Sequence, residues 1–203
     1  MDHNNILAAV LAGGKSKRFG RDKSQVKLGD KILINYILSE IIDIYNDILI
    51  VANEPIKFLD SNKISLTSDI KRNLGPLGGV LSAMKWAKDN KKNYKWISTF
   101  PIDTPFFKKK HLSKFYEEID LEKSNLFFMK SKNTRHNIFG LWSLELYEKL
   151  EFALNKGDRK VEIWANEIGV KTIDFEHENN KDPFFNINTE KELEIAKKLL
   201  NND

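Results

Sequence analysis

The amino-acid sequence predicts an α/β fold: one domain, residues 1–203, with three α/β/α layers around a mainly parallel, Rossmann-like sheet that has an antiparallel edge. Short apolar runs of strand length alternate along the chain with segments whose apolar residues recur at helical spacing. Strand–helix–strand repeats of this kind build parallel sheets covered by helices on both faces. Of the 203 residues, 41% are hydrophobic and 31% are charged, which suits a substantial core beneath a solvated surface.

The predicted elements follow one another from the N-terminus. A buried strand is expected at 6–11, and an amphipathic helix follows, whose apolar residues are Ile34, Ile37, Leu38, Ile41, Ile42 and Tyr45. Further strands are expected at 48–51, 96–100, 125–129, 138–142 and, as an alternating edge strand, 170–175. Helices are expected after Gly79, at 144–154 and from 190 onwards, the last one capped by Thr189 with Glu192 three residues on.

Composition excludes several classes of protein. The chain has no cysteine, so disulfides, thiolate zinc sites, iron–sulfur clusters and a cysteine nucleophile are ruled out. The formal net charge of +4 suits a small polyanionic substrate, although a lysine-rich solvated surface explains it equally well, and it does not predict nucleic-acid binding. The apolar run at 6–12 is too short to span a bilayer and lacks a cleavage site, so we expect a cytoplasmic protein with no membrane contact.

A glycine-rich, basic loop follows the first predicted strand at 11–23. Its adjacent Gly13 and Gly14 allow backbone N–H groups to approach a phosphate, and its lysines and arginines add charge-assisted hydrogen bonds. A Walker A loop would need glycine at position 9, which is Ala9, and the Rossmann Gly-x-Gly-x-x-Gly pattern is missing. The loop therefore predicts a phosphate site of another kind, and the plainer alternative is a basic surface loop.

Two further segments at predicted strand ends carry candidate ligands. The glycine-rich stretch 73–79 precedes a helix, whose N-terminus favours a phosphate, although a plain turn would need the same residues. Asp69 shortly before it is either a ligand or a surface residue. Asp103 directly follows a buried strand, where a carboxylate can hold Mg²⁺ together with substrate phosphates or simply cap a turn. Cations, backbone donors and a metal carboxylate are what nucleotidyl transfer needs.

These motifs resemble those of the molybdenum cofactor guanylyltransferases. The first loop is shared with related sugar-nucleotide and cytidylyl transferases, whereas the later motifs are more specific to this family. The matching segments are Leu11-Ala12-Gly13-Gly14-x-Ser16-x-Arg18-Phe19-Gly20-x-Asp22-Lys23, Gly75-Pro76-Leu77-x-Gly79, Asp103-Thr104-Pro105, Gly157-Asp158-Arg159-Lys160-Val161 and Phe185-Asn186-Ile187-Asn188-Thr189. The likeness covers nearly the whole chain.

The resemblance implies a reaction and a set of site residues. GTP would react with molybdopterin carrying molybdenum to give the guanine dinucleotide cofactor and pyrophosphate, with Mg²⁺, or Mn²⁺ in its place, on Asp103. By resemblance, the catalytic residues would be Lys23, Arg18 and Asp103; the nucleotide-binding residues Leu11, Ala12, Gly13, Gly14, Lys23, Asn53, Asp69, Gly75 and Asp103; and the acceptor-binding residues Arg135, His136, Asn186 and Asn188. The chain departs from the family at Asn137, usually proline, and at Ile102, often cysteine.

The resemblance also implies partners, and other readings remain open. We expect a monomer that makes transient contact with molybdenum-insertion proteins and apo-molybdoenzymes. A related transferase that uses CTP or UTP on a sugar or alcohol phosphate is the nearest alternative enzyme. The alternative outside catalysis is a nucleotide-sensing or adaptor protein that kept the fold, and intact Lys23 and Asp103 argue against it.

Overall fold

A computed structural model describes residues 3–13, 25–71, 73–90, 92–176 and 182–200. The strands are β1 (Ile6–Leu11), β2 (Lys27–Leu28), β3 (Lys31–Ile32), β4 (Ile48–Val51), β5 (Ile64–Thr67), β6 (Trp96–Pro101), β7 (Leu126–Ser131), β8 (Thr134–Ser143) and β9 (Lys171–Phe175). The α-helices are α1 (Leu33–Ile41), α2 (Pro76–Asp89), α3 (Lys109–Glu118), α4 (Tyr147–Lys156), α5 (Val161–Ile168) and α6 (Glu190–Leu200). Short 3₁₀ turns cover His3–Asn5 and Leu144–Leu146.

Seven strands form one mixed sheet in the order β5-β4-β1-β6-β8-β7-β9. The strands β5, β4, β1 and β6 are parallel neighbours, and β9 runs parallel to β7. The strand β8 lies between β6 and β7 and is antiparallel to both. The predicted α/β class with a mainly parallel sheet is confirmed, and β9 is an edge strand, as its alternating sequence indicates.

Helices cover both faces of the sheet because the strand side chains alternate between two cores. On β1, Leu7 and Ala9 enter the core that contains α2, α4 and α5, whereas Ile6, Ala8 and Val10 enter the core beneath α1 and α3. Continuous apolar runs are what a strand needs when it is buried on both faces. A third, smaller cluster packs α6 against the β2–β3 hairpin.

The register of the four parallel strands aligns their carboxyl ends. Leu11 lies opposite Val51 and Pro101, and Val51 lies opposite Thr67. The residues two positions beyond these four strand ends are Gly13, Asn53, Asp69 and Asp103. The fold thus brings four separately predicted site residues to one edge, where ligands of open α/β sheets bind.

The bulged pairing of β7 with β8 shapes the far side of that edge. Phe128 pairs with Gly140 but Met129 pairs with His136, so residues 137–139 bulge out of the ladder. A Cβ on Gly140 would lie 2.3 Å from Phe128 Cδ1 and 2.4 Å from the Phe127 carbonyl oxygen, so only glycine fits there. The Thr99 hydroxyl donates to the carbonyl of Ile138 within the bulge over 2.6 Å.

Several elements differ from the sequence-based prediction. The helix α1 ends at Ile41, so Ile42 and Tyr45 of the predicted stripe lie beyond it. The strand β8 begins at Thr134, four residues before its predicted start. The strands β2, β3 and β5 and the helices α3 and α5 were not predicted, because they are short or carry few buried residues. In the ranges that the structure describes, no helix is long and apolar enough to cross a membrane.

Candidate functional site

A reciprocal pair of hydrogen bonds joins the loops after β4 and β5. Asn53 Nδ2 donates to Asp69 Oδ2 over 2.7 Å, and the Asp69 backbone N–H donates to Asn53 Oδ1 over 3.1 Å. Because both ends of the Asn53 amide are engaged, the direction of the Asp69 carboxylate is set. The sequence placed Asn53 after a predicted strand and Asp69 shortly before the glycine-rich stretch, but only the parallel pairing of β4 and β5 brings them into contact.

Two glycines flank the Asp69 carboxylate. A Cβ on Gly13 would lie 3.4 Å from Asp69 Oδ2 and 3.5 Å from Asn53 Nδ2. A Cβ on Gly79, in the first turn of α2, would lie 3.7 Å from Asp69 Oδ1 and 3.3 Å from Leu11 Cδ2. The predicted nucleotide-binding residues Leu11, Gly13, Asn53 and Asp69 therefore form one cluster. Ala12, between Leu11 and Gly13, continues the ladder by donating its N–H to Val51 over 2.9 Å.

The N-terminus of α2 lies at the same edge. Gly75 caps the helix with φ of 66°, a left-handed conformation that glycine adopts readily, and Pro76 begins the helix. A Cβ on Gly75 would lie 3.9 Å from the Arg159 carbonyl oxygen, so the matching segment 157–161 lies beside this helix start. Arg159 Nη1 donates to the Leu154 carbonyl over 2.8 Å, which satisfies the end of α4.

On the other side of β1, Asp103 is linked to the segment that carries Asn186 and Asn188. The Ile187 N–H donates to the Asp103 carbonyl over 2.9 Å. His136 stacks on Phe184 of that segment, with ring centroids 4.1 Å apart, and bonds the Ser131 hydroxyl at 2.7 Å. The structure thus brings together Asp103 and three of the four predicted acceptor residues.

The segment is anchored by the N-terminus of α6. The Glu192 N–H donates to Thr189 Oγ1 over 3.3 Å, and Glu192 Oε2 accepts from the Asn188 N–H over 2.7 Å and from the Thr189 hydroxyl over 3.0 Å. The predicted Thr189 cap is confirmed. Because Glu192 holds the Asn188 backbone, the cap also positions Asn188 at the site.

Arg135, the fourth predicted acceptor residue, contacts the opposite face of the sheet from His136. Its Nε donates to Asn137 Oδ1 and its Nη1 to Asn166 Oδ1, each over 2.7 Å, and its Nη2 donates to the Glu162 carbonyl over 3.1 Å. These contacts brace β8 against α5. Asn137, the departure from the family pattern, supplies one of them. An acceptor-binding role for Arg135 stays a prediction.

The remaining predicted residues Gly14, Arg18 and Lys23 lie outside the described residues. Their roles in holding and neutralising phosphates stay predictions. In the chain, these residues come between Gly13 and the β2–β3 hairpin, against which α6 packs.

The donor set suits a divalent cation that is held partly by substrate. Within the described ranges, no three His, Cys, Asp or Glu side chains come together as a metal cage. Mg²⁺ commonly binds through one or two carboxylates, with waters and substrate phosphates completing its octahedron. Asp103 lies at the carboxyl end of β6, and its role as such a ligand stays a prediction.

Two tyrosines with raised pKa values lie away from this edge. Burial raises the pKa of Tyr116 to about 12 and that of Tyr45 well above its ordinary value, and the two hydroxyls bond each other at 2.6 Å. Tyr45 precedes β4, and so belongs to the amino end of the sheet. Phosphoryl transfer depends on positioning and charge stabilisation more than on a titrating base, and the edge residues suit that chemistry.

The mainly parallel α/β sheet, with Gly13, a helix N-terminus and carboxylates at one edge, is typical of the nucleotidyltransferase class. The chain belongs to the MobA-like NTP transferase domain family, whose model matches residues 8–169. The family indicated by the sequence motifs is thereby confirmed.

Individual known proteins agree with this assignment. A molybdenum cofactor guanylyltransferase of Rhizobium rhizogenes is 32% identical over 205 residues, which cover 98% of this chain and 94% of that protein. The crystal structure of molybdopterin-guanine dinucleotide biosynthesis protein A from Archaeoglobus fulgidus has a TM-score of 0.74 at 21% identity and covers 97% of this chain and 100% of that one. A Mycobacterium tuberculosis protein solved with manganese has a TM-score of 0.66 at 11% identity and covers 97% of this chain and 100% of that one. The two structures share the fold with this chain.

Two residues at the site were not found from the sequence. Ser82 in α2 contacts the turn that carries Asp69, and Phe184 supports His136. A serine inside a helix and a phenylalanine in a loop carry no local pattern that separates them from core residues. Their contacts are made with segments 12 and 48 positions away along the chain.

Proposed function

We propose that this chain transfers GMP from GTP to molybdopterin carrying molybdenum, which forms the molybdopterin guanine dinucleotide and releases pyrophosphate. The observation that carries the proposal is the meeting of Gly13, Asn53, Asp69 and Asp103 at one sheet edge, in a member of the MobA-like family. The guanylyltransferase name of the Rhizobium relative favours guanine and this acceptor.

The cluster around Asp69 is suited to the nucleoside end of GTP. A carboxylate repels a triphosphate but accepts hydrogen bonds from N–H and O–H groups. Guanine presents an exocyclic amino donor that adenine lacks at the same position. Asn53 holds the Asp69 carboxylate and the two glycines leave it exposed, so Asp69 can accept hydrogen bonds from guanine or ribose donors. The phosphates would then be bound by the predicted phosphate loop that follows β1.

The charged groups would act on the phosphates. Lys23 and Arg18 are proposed to bind them, with Lys23 neutralising the charge that develops as pyrophosphate departs. Asp103 would hold Mg²⁺, with Mn²⁺ as the alternative ion, and the bound cation would supply charge neutralisation at the phosphoryl oxygens. The dipole of α2 adds a fixed positive end at the same edge.

The acceptor would bind on the Asp103 side of β1. His136, Asn186 and Asn188 offer an imidazole and two amides there. A phosphate oxygen of the acceptor would form a bond to the α-phosphorus of GTP while the bond between the α-phosphorus and the bridging oxygen of pyrophosphate breaks. The chain's own residues would orient the two phosphates in line, and this orientation alone gives a large rate advantage.

A nucleotide panel followed by a turnover assay tests the proposal. With Mg²⁺ present, GTP should raise the melting temperature more than ATP, CTP or UTP, because a ligand of the folded state stabilises it by mass action. Pyrophosphate release should then require GTP together with molybdenum-loaded molybdopterin. A clear preference for CTP or UTP would assign the chain to the related sugar or alcohol phosphate transferases. Binding without turnover would favour a nucleotide sensor.

Other features remain proposals of the same kind. A monomer would suffice for the reaction, since the proposed site residues come from one chain. Transient docking of molybdenum-insertion proteins and apo-molybdoenzymes would follow from handing over a labile cofactor. Sedimentation and pull-down with the purified partners would test each.

A further inference from the structure

A buried hydroxyl in α2 connects this helix to the turn that carries Asp69. Ser82 is 3% exposed, and its Oγ donates to the Gly78 carbonyl over 2.8 Å. The same oxygen accepts the Ile70 N–H over 2.9 Å. A helical serine commonly bonds the carbonyl four residues earlier, and this leaves its lone pairs for a second partner. Here the second partner is the backbone directly after Asp69.

Side chains hold the two consecutive N–H groups of this turn. The Asp69 N–H donates to Asn53 and the Ile70 N–H donates to Ser82, so the two peptide units on either side of the Asp69 Cα are each held by a side chain. The Ile70 side chain is 44% exposed, so the turn gains little from apolar burial. Hydrogen bonds to Asn53 and Ser82 therefore determine where the Asp69 carboxylate points.

The hydrogen bonds of Ser82 also join the Asp69 turn to the first turn of α2, which borders the Asp69 carboxylate. Gly78, which accepts from Ser82, is next to Gly79, whose Cβ position faces Asp69 Oδ1. A shift of the Asp69 turn relative to α2 would change both the direction of the carboxylate and the open space beside it. The Ser82 hydroxyl thus couples the position of the Asp69 carboxylate to the position of α2.

We propose that Ser82 is a positioning residue for nucleotide binding, which acts by presenting the Asp69 carboxylate to the nucleoside part of the substrate. This inference rests on the proposed function, because it requires that a nucleoside triphosphate binds at this edge. It assigns to Ser82 an effect on affinity that is transmitted only through Asp69. A general role in the packing of α2 would instead act on the fold and be independent of Asp69.

The test compares Ser82→Ala with Ser113→Ala. Ser113 lies in α3 and its Oγ also bonds the carbonyl four residues earlier, that of Lys109 over 3.3 Å, but it is exposed and outside the site. From the net worth of one hydrogen bond, Ser82→Ala should raise KM and Kd for GTP by about 3–10-fold and change kcat by less than about twofold. Ser113→Ala should change neither constant.

A double-mutant cycle separates positioning from packing. The near-isosteric Asp69→Asn retains an acceptor oxygen but loses the charge. In the Asp69→Asn background, Ser82→Ala should weaken GTP binding by less than about twofold, because the charged group that it positions is gone. Calorimetry measures the Kd for GTP with Mg²⁺ in the wild type, the two single variants and the double variant. Hydrogen exchange of the Ile70 amide should also be faster in Ser82→Ala than in the wild type.

Each outcome is decisive. Coupling between Ser82 and Asp69, with faster Ile70 exchange, supports the inference. An equal loss in both backgrounds, or unchanged GTP affinity in Ser82→Ala while the wild type binds GTP, overturns the inference alone. A wild-type protein that binds no nucleoside triphosphate overturns the proposed function and this inference with it.

Discussion

Replacing Gly13 with alanine should separate nucleotide binding from folding. The new Cβ would meet Asp69 Oδ2 at 3.4 Å, Asn53 Nδ2 at 3.5 Å and the Val51 carbonyl at 3.9 Å, all ordinary contact distances. Gly13 does not adopt a left-handed φ, so alanine fits its backbone. A hydrogen-bond donor, however, approaches a carboxylate oxygen to about 2.9 Å, and the methyl group covers that approach from the Gly13 side.

The expected magnitudes follow from these distances. In the absence of ligand, the change in unfolding free energy should stay within about 1 kcal/mol, or roughly 2–4 °C in melting temperature for a chain of this length. GTP at 100 times its Kd should stabilise the wild type by about 2.7 kcal/mol, or roughly 5–11 °C. Loss of one hydrogen bond to a charged group weakens binding by about 10–100-fold. At the same GTP concentration, the nucleotide should then stabilise the variant by only about 0.4–1.4 kcal/mol.

Thermal unfolding of both proteins with and without GTP and Mg²⁺ measures these quantities. The melting temperature without nucleotide is the internal control for folding. The nucleotide site at Gly13 and Asp69 would be supported if the variant without nucleotide melts near the wild-type temperature and GTP raises its melting temperature only slightly. If GTP raises the melting temperature of the variant as much as that of the wild type, no hydrogen-bond donor of the nucleotide reaches Asp69 from the Gly13 side. The proposed placement of the nucleoside would then be refuted.

Three further substitutions test the fold and the proposed chemistry. Gly140→Ala should lower the unfolding free energy by about 3 kcal/mol or more, because its Cβ would lie 2.4 Å from the Phe127 carbonyl oxygen; an unchanged denaturation midpoint would contradict the β7–β8 register. Asp103→Asn should lower Mg²⁺-dependent turnover by at least about 100-fold while the melting temperature without nucleotide stays near wild type; near-normal turnover would remove Asp103 from the metal site. Lys23→Ala should lower kcat by about 10²–10³ and change KM less, and steady-state kinetics with unchanged kcat would exclude a catalytic role.

The sequence predicted those features that depend on local physical chemistry. Largely apolar runs marked β1, β4 and β6 because strands buried on both faces carry few polar side chains. Asn53 and Asp103 were recognised as strand-end residues because they follow the predicted strands by two and three positions, respectively. Thr189 and Glu192 predicted the cap of α6 because capping depends on residues three apart in the chain.

Sequence patterns predicted an element less well where its side chains are only partly buried. The edge strand β5 has no fully buried residue and spans four positions, so it lacks the apolar run that identifies a strand. The helix α3 buries only Leu112 and Phe115 within a lysine-rich segment of low hydropathy, so few apolar residues mark it in the sequence. In both cases the neighbouring elements supply the stabilisation, and propensity alone does not reveal it.

By itself, the sequence determined the fold class, the family and the ends of β1, β4 and β6, where candidate site residues lie. Only the tertiary structure decided which of those ends meet: Asn53 holds Asp69, two glycines flank its carboxylate, Ser82 anchors its turn, and Ile187 joins Asp103 to the C-terminal segment. It also placed Arg135 against α5 and His136 against Phe184, although the two are adjacent in the chain. The physical reason is that hydrophobic periodicity specifies which face of an element is buried, whereas strand order and register arise from packing between residues distant in sequence.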